Sequence, residues 1–156
     1  MIKILRVFGL VIAAFLWLLF IGLPFSASIR GDDKLDWSKF FGAIRQVESN
    51  GDDTAVGDNG ESKGPYQIQK NYWLDGGGKV EDYETKVFDR DACEKVMLGY
   101  FQRYCPKAVL AKDWKTIARI HNGGPQGDKK KSSLKYWDKV KIEMERANNV
   151  RMQNRI

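Results

Sequence analysis

A helical apolar stripe runs directly into a polar, glycine-rich loop near the start of the globular part of this chain. The stripe recurs at helical spacing through Trp37, Phe41 and Ile44. Its next position, one turn further on, is Glu48, so a carboxyl group stands where the pattern asks for an apolar side chain. Residues 49–51, Ser-Asn-Gly, carry the chemistry that ends helices. The pattern therefore predicts a first helix over 37–49 with a half-buried glutamate at its end.

Further carboxylates lie in the loop after this helix, at Asp52, Asp53, Asp58 and Glu61. A glycoside hydrolase needs one protonated carboxyl group facing one ionised carboxylate. Burial on the apolar stripe favours the protonated form of Glu48, which predicts it as the general acid, whereas a loop carboxylate would stay ionised. The competing interpretation is a solvated glutamate at a helix end, since most helical glutamates are surface residues.

The first 28 residues have the order of an export signal. Lys3 and Arg6 precede an uncharged apolar run over 7–25, and small residues follow at 26–28. The run is nineteen residues long, close to the roughly 20 that span a bilayer, so an uncleaved signal anchor is the alternative to a cleaved signal peptide. Either interpretation predicts a secreted or periplasmic protein that meets a membrane only through residues 7–25.

Charge and metal-binding residues narrow the class of partner. The chain has 26 Lys and Arg against 20 Asp and Glu, and its basic residues concentrate after position 129. Such a run favours an anionic polymer such as a bacterial wall, or else forms a solvated helix face. Export and the lack of a recognition motif argue against nucleic acid. One histidine and two cysteines outside any CxxC pair predict no metal and no cofactor.

The remaining pattern predicts one predominantly α-helical α+β domain over 36–147, after a polar linker at 29–35 and before a polar basic tail at 148–156. A small hairpin is expected around Asp58-Asn59-Gly60. Beyond the first helix, further helices are predicted over 66–75, over 89–104, from the Asp113 cap to the breaker at 122–125, and over 132–147. On the last of these helices, Leu134, Trp137 and Val140 are predicted to face inward.

The two cysteines both fall on or at the end of the third predicted helix. Cys93 and Cys105 are twelve residues apart, which corresponds to roughly 18 Å along a helix. A disulfide tolerates at most about 7 Å between Cα atoms. The sequence therefore predicts no intrachain disulfide, with Cys93 buried and Cys105 exposed and reactive.

Several short motifs, taken in order, resemble the invertebrate-type lysozymes, also called the destabilase family. They are VES at 47–49, GD at 57–58, GPYQI at 64–68, YW at 72–73, MLGYFQRYC at 97–105, ARIHNGGPQG at 118–127 and KKKSSLKYW at 129–137. The resemblance covers about residues 40–142 and implies a lysozyme-like fold with a small glycine-rich hairpin region after the first helix. Animal members are dense in cysteine, so this chain resembles a disulfide-poor, bacterial branch.

The resemblance implies catalytic and substrate-binding residues one by one. Glu48 matches the family's acid and Asp58 its aspartate, with Asp52, Asp53 and Glu61 as rivals because the loop is shorter than in animal members. His121 lies on the apolar stripe of its own helix, which favours a structural role. The implied sugar-binding set is Ser62, Tyr66, Gln67, Ile68, Tyr72, His121, Asn122 and Gly123.

The function implied is that of a monomeric, antibacterial muramidase, which cleaves peptidoglycan strands between N-acetylmuramic acid and N-acetylglucosamine without a cofactor. Two alternatives remain open. A lytic transglycosylase would use Glu48 alone and release an anhydro sugar. A wall-binding module without catalysis would keep the fold and lose turnover.

Overall fold

The computed structural model describes residues 31–153. The predicted export segment over 1–28 therefore lies outside the described residues, and so do the last three residues of the predicted tail. Within the described range, every helix is too short or too polar to cross a membrane.

The described chain is built mainly of helices, with one small antiparallel sheet near its start. The elements in order are α1 (Gly31–Ser49), β1 (Val56–Gly57), β2 (Ser62–Lys63), β3 (Ile68–Gln69), α2 (Lys70–Asp75), α3 (Tyr83–Lys86), α4 (Arg90–Tyr104), α5 (Pro106–Ala111), α6 (Trp114–Gly123) and α7 (Ser132–Gln153). The sheet order is β1-β2-β3, with Val56 opposite Lys63 and Lys63 opposite Ile68. The predicted class, α+β and predominantly α-helical with a hairpin after the first helix, is confirmed.

The core lies where four helices meet. α1 and α6 both pack against α7, and α6 also packs against α4. The stripe predicted on α1 is part of this core, since Phe41 and Ile44 are buried and Trp37 packs against them. Phe101 from α4, Ile117 from α6 and Val140 from α7 are fully buried in the same cluster. Burial of these large apolar side chains is the main favourable term that holds the helices together.

Two helices begin at a capping aspartate, which was predicted for Asp113 and is an additional finding for Asp89. The Asp89 carboxylate accepts a hydrogen bond from Ala92 N at 2.8 Å at the start of α4, and Asp113 accepts one from Thr116 N at 3.2 Å at the start of α6. Each bond satisfies a backbone donor that the first helical turn leaves without a partner. The predictions for these two helices are confirmed.

Three predicted boundaries are wrong. α1 begins at Gly31, so residues 31–35, predicted as linker, are helical. α2 begins at Lys70 instead of 66, because Gln67 has a positive φ of 47° and the next two residues pair with β2. α7 continues to Gln153 through residues that were predicted as a polar tail.

Two features near the ends of helices were also mispredicted. α5 was not predicted at all, since the six residues of Pro106–Ala111 carry too little periodicity. On α7 the buried face contains Ser133, Tyr136 and Val140, whereas Leu134 is exposed. Of the three residues predicted to face inward, Val140 is buried and Trp137 packs against the core, so the prediction is wrong for Leu134 alone.

The cysteines agree with only part of their prediction. α4 runs unbroken over Arg90–Tyr104, and both thiols are free. Cys93 is buried as predicted, but Cys105 is buried too, and the prediction that it is exposed is wrong. The reason is α5, which packs against α4 next to Cys105. Burial raises the pKa of Cys105 to about 11 and that of Cys93 to about 12.

Candidate active site

A cleft of about 460 Å³ opens between the end of α1, the hairpin, α2 and α6. Its walls are polar and carry carboxyl, amide and phenol groups. The lining residues are Glu48, Asp58, Ser62, Gln67, Gln69, Asn71, Tyr72, Asp75, Tyr100, His121, Asn122, Gly124 and Pro125. Six of the residues predicted for the substrate site or for catalysis come together here with the predicted acid: Asp58, Ser62, Gln67, Tyr72, His121 and Asn122.

Glu48 is held at the cleft by the way α1 ends. It is the last residue but one of the helix, and Asn50 and Gly51 follow with positive φ angles of 53° and 85°. Ser49 Oγ donates a hydrogen bond to the Pro65 carbonyl at 3.0 Å, which ties the helix end to the loop before β3. The Glu48 side chain is 19% exposed, so the predicted half-burial is confirmed.

One carboxylate oxygen of Glu48, Oε1, lies close to side chains from two other helices, α6 and α7. Tyr136 of α7 donates its hydroxyl to Glu48 Oε1 at 2.7 Å. His121 Nε2 of α6 lies 3.5 Å from the same oxygen, and His121 Nδ1 lies 3.1 Å from the Tyr72 hydroxyl. Within residues 31–153, Glu48 Oε2 has no hydrogen-bond partner. His121 is buried, as its position on the helix predicts, and it also contacts the candidate acid.

The two phenols in this network stay protonated over the physiological pH range. Burial raises the pKa of Tyr136 well above that of a free phenol, and the Glu48 carboxylate beside it adds to the effect. Burial likewise raises the pKa of Tyr72, with Tyr100 and Glu48 contributing. Tyr136 therefore acts as a permanent hydrogen-bond donor to Glu48.

Asp58 sits in a strained turn at the tip of the hairpin. It has a positive φ of 49°, and Asn59 follows with 55°, conformations that are uncommon outside glycine. The buried Ser62 hydroxyl donates to Asp58 Oδ2 at 2.5 Å. The hairpin thus presents this carboxylate to the cleft while fixing one of its oxygens.

The rival carboxylates of the same loop are placed elsewhere. Asp52 accepts hydrogen bonds from Thr54, at 2.8 Å from both its N and its Oγ1. Asp53 forms a two-bond ion pair with Arg90 at 2.7 and 2.8 Å, and the hydrogen bond from Arg90 lowers the pKa of Asp53. Glu61 is exposed. Of these loop carboxylates, Asp58 is the one that lines the cleft.

Three predicted binding residues do not line the cleft. Tyr66 and Ile68 are buried in the core, and the Tyr66 hydroxyl donates to Glu94 at 2.5 Å. Gln67 does reach the cleft from the turn before β3, where it has a positive φ of 47°. Its Nε2 donates to the Ala55 and Gly64 carbonyls at 3.2 and 3.0 Å, so it braces the hairpin. Gly123 is also absent from the lining, although its neighbours Asn122 and Gly124 contribute.

Several cleft residues were not predicted: Gln69, Asn71, Asp75, Tyr100 and, beneath Glu48, Tyr136. The signal for Tyr136 was its place in the motif at 129–137, which follows the HNGGP turn. Its partner Glu48 lies 88 residues away in the chain, and no periodicity connects the two. Among the described residues, no group of three or more His, Cys, Asp or Glu is arranged to hold a metal ion.

The destabilase family model matches residues 38–142. The chain belongs to the destabilase family. Over 80 residues it is 38% identical to a lysozyme of Ostrea edulis, a match that covers 51% of this chain and 58% of that protein. A lysozyme of Magallana gigas is 35% identical over 79 residues, with the same two shares. The chain thus spans somewhat over half the length of these relatives.

A solved structure supports the fold. The crystal structure of Tapes japonica lysozyme superposes with a TM-score of 0.55 at 32% sequence identity, covering 65% of this chain and 85% of that one. The lysozyme-like fold implied by the sequence motifs is therefore confirmed.

Proposed function

We propose that this chain is a muramidase, which hydrolyses the glycosidic bond between N-acetylmuramic acid and N-acetylglucosamine in peptidoglycan. The observation that carries the proposal is the cleft itself, where Glu48 and Asp58 stand in different surroundings. One carboxyl group ends a helix over buried aromatic rings, and the other lies in a polar hairpin turn. The names of the relatives, which are lysozymes, support the same activity.

Glu48 acts as the general acid. Its Oε1 is fixed by Tyr136, and Oε2 is the oxygen that can carry a proton towards the cleft. As the glycosidic C–O bond breaks, this proton passes to the leaving oxygen, and positive charge develops at the sugar C1. Glu48 is left ionised and later takes a proton from the attacking water.

Asp58 acts on the other side of the reaction. An ionised carboxylate either bonds to C1 or stabilises its positive charge until water replaces it. Because Ser62 donates to Asp58 Oδ2, Oδ1 is the oxygen left to face the sugar. Water then adds its oxygen to C1, and the product carries a reducing end.

Amides and aromatic rings supply the sugar-binding surface. Asn71 and Asn122 line the cleft, are exposed, and make no side-chain hydrogen bond to other described residues. Their amides match the acetamido and hydroxyl groups of the sugars, which both donate and accept. Tyr72 and Tyr100 stack at 3.7 Å between ring centroids and form an apolar wall beside them.

The proposal extends to where and how the protein acts. Residues 7–25 direct export, so that the catalytic domain meets the wall outside the cytosol as a monomer with antibacterial activity. Fractionation of cells that express the full chain, with N-terminal sequencing of the product, checks export and cleavage. An intact chain in the membrane fraction would indicate a signal anchor.

Mass spectrometry of the muropeptides after digestion of purified peptidoglycan tests the reaction itself. A muramidase yields reducing ends. Anhydro ends would indicate a lytic transglycosylase that uses Glu48 without Asp58, and binding without any product would indicate a wall-binding module.

Substitution of the two carboxyl groups tests their roles. Glu48→Gln should lower kcat by about 10²–10⁴-fold, since an amide cannot donate the proton. Asp58→Asn should be similarly severe, whereas Glu61→Gln, in the same loop but outside the cleft, serves as the matched control and should keep wild-type activity. A folded Glu48→Gln protein that keeps more than about a tenth of wild-type turnover would contradict the role of Glu48 as the general acid.

A further inference from the structure

A second concave site lies on the other side of the α2–α4 pair from the catalytic cleft. Its volume is about 560 Å³, larger than that of the cleft. Tyr72 and Asp75 of α2 line the cleft, whereas the adjacent residues Trp73 and Gly76 line this side pocket. The two sites are therefore separated by the width of a single short helix.

The floor of the side pocket is rigid and mainly apolar. The indole of Trp73 is buried and donates from Nε1 to the Lys79 carbonyl at 2.8 Å, which fixes the glycine loop over 76–78. A Cβ at Gly99 of α4 would lie 2.2 Å from the Gly76 carbonyl oxygen, so the loop rests directly on the helix backbone. Such a preformed surface loses little conformational freedom when a ligand binds.

The rim of the side pocket is positively charged. Lys79 and Lys95 are exposed, and their ammonium groups make no ion pair or hydrogen bond with other described residues. A third lysine, Lys86, is paired with Asp82 at 3.0 Å. The cleft has the opposite character, since its charged lining residues include the carboxylates of Glu48, Asp58 and Asp75.

We propose that the side pocket binds the stem peptide of peptidoglycan while the glycan strand occupies the cleft. This inference rests on the proposed function, which concerns the glycan strand, and it adds a binding site for the peptide attached to that strand. The stem peptide hangs from the muramic acid, carries one diamino acid, and otherwise offers alanine methyl groups and the carboxylates of its γ-linked glutamate and its C-terminus. Those groups fit an apolar floor with two unpaired ammonium groups at its edge.

The reach of the peptide is sufficient. The two sites lie on opposite sides of α2, and a helix with its side chains is about 10–12 Å wide. A four-residue stem in extended form spans roughly 13–14 Å. The side pocket therefore makes the enzyme prefer peptide-bearing glycan to naked glycan or to chitin, which carry no such peptide.

Kinetics of the full chain on two matched substrates test the proposal: teichoic-acid-free peptidoglycan with its stems, and the same glycan after an amidase has removed them. The double variant K79Q/K95Q should raise KM on the peptide-bearing glycan by about two- to thirtyfold, the range expected for two exposed ion pairs. Its kcat on that substrate, and both constants on the stripped glycan, should stay at wild-type values. The matched control K107Q/K115Q changes two exposed lysines outside the side pocket and should leave both substrates unaffected. Equal KM values for K79Q/K95Q and wild type would overturn the proposal.

Direct binding separates this inference from the proposed hydrolysis. NMR titration of the full chain with the tetrapeptide N-acetyl-L-Ala–γ-D-Glu–L-Lys–D-Ala, whose N-terminus is an amide as in the stem, should shift the amides of Gly76, Gly77, Gly78 and Gly99, and inorganic phosphate should not. Peptide-induced shifts without any glycan cleavage would support the stem-peptide site and contradict the proposed muramidase activity. Glycan cleavage without peptide-induced shifts, or equal shifts with phosphate, would leave the proposed muramidase activity standing and overturn the stem-peptide site.

Discussion

At the scale of single residues, the least expected contact is between Tyr136 and Glu48. A buried phenol whose pKa is raised donates to one oxygen of the candidate acid at 2.7 Å, and His121 stands 3.5 Å from the same oxygen. This arrangement restricts the rotation of the carboxyl group, since one oxygen is bound and the other is directed away from the donor. Tyr136 is therefore a positioning residue in the proposed reaction.

Removal of the Tyr136 hydroxyl should slow the chemical step without affecting substrate binding. Tyr136→Phe keeps the ring and deletes the donor, and a hydrogen bond to a charged group is worth about 1.5–3 kcal/mol. We expect kcat to fall by at least about tenfold with KM unchanged. Tyr66→Phe is the matched control, because it also deletes a buried hydroxyl that donates to a glutamate, but outside the cleft. Wild-type kcat in Tyr136→Phe, or an equal loss in Tyr66→Phe, would contradict the role.

The sequence predicted the candidate acid better than its surroundings. Glu48 is visible because it interrupts an apolar stripe, and Asp58 because of a motif that includes the neighbouring Gly57. Tyr66 and Ile68 were misplaced because a motif says which residues cluster and not which way each side chain points. Tyr136 was missed because its contact joins α1 to α7 and exists only after the helices pack.

At the scale of elements, the helices with strong local signals were predictable and the others were not. α4 and α6 have capping aspartates and clear stripes, so their starts were predicted. α2 was extended too far because residues 66–69 look helical in composition, while the left-handed turn at Gln67 and pairing with β2 make them part of the sheet. Pairing between distant segments is a tertiary effect that local propensity does not report.

Two glycines should respond in opposite directions to the same substitution. Gly64 has a positive φ of 73°, and a Cβ there would lie 1.9 Å from the Val87 carbonyl oxygen. Gly64→Ala should destabilise the protein by more than about 1 kcal/mol. Gly42 lies inside α1 with nothing within 4 Å of its Cβ position, so Gly42→Ala should stabilise by about 0.5–1 kcal/mol. Urea denaturation measures both, and a Gly64→Ala variant as stable as wild type would show that the hairpin does not need this close approach.

The packing of α5 against α4 determines how the thiols react. Only the thiolate is nucleophilic, and burial raises the pKa of both cysteines, to about 11 for Cys105 and about 12 for Cys93. A thiol reagent such as DTNB at pH 8 should therefore modify neither cysteine in the native protein and both in denaturant. Rapid labelling of one thiol in the native state would mean that Cys105 is exposed, as the sequence alone suggested.

At the scale of the whole molecule, charge is distributed unevenly between two neighbouring concave sites. The cleft collects carboxylates that the reaction requires, and ammonium groups border the side pocket behind it. The long C-terminal helix adds exposed lysines, among them Lys135, Lys139 and Lys141. Long-range attraction by these basic groups favours approach to an anionic wall, and it weakens with salt because exposed charges are screened within roughly 8–10 Å at physiological ionic strength.

One half-buried carboxyl group outside the cleft should set part of the pH dependence of stability. Glu94 of α4 accepts a hydrogen bond from Tyr66 at 2.5 Å, and burial raises the pKa of Glu94 above its usual value. Between the unfolded-state pKa of about 4.3 and this raised value, the native protein keeps a proton that the unfolded chain has released. The stabilising contribution of Glu94 is thus fully present below pH of about 4 and is lost as pH rises through the folded pKa. Glu94→Gln stays neutral and can still accept a hydrogen bond from Tyr66, so the melting temperature of this variant relative to wild type should increase between pH 4 and pH 7.

The matched control Glu81→Gln alters an exposed glutamate with no ion pair in the described structure, and the difference between its melting temperature and that of wild type should stay constant with pH. If the Glu94→Gln difference is equally constant, Glu94 is ionised in the folded protein without cost, and burial does not control its titration.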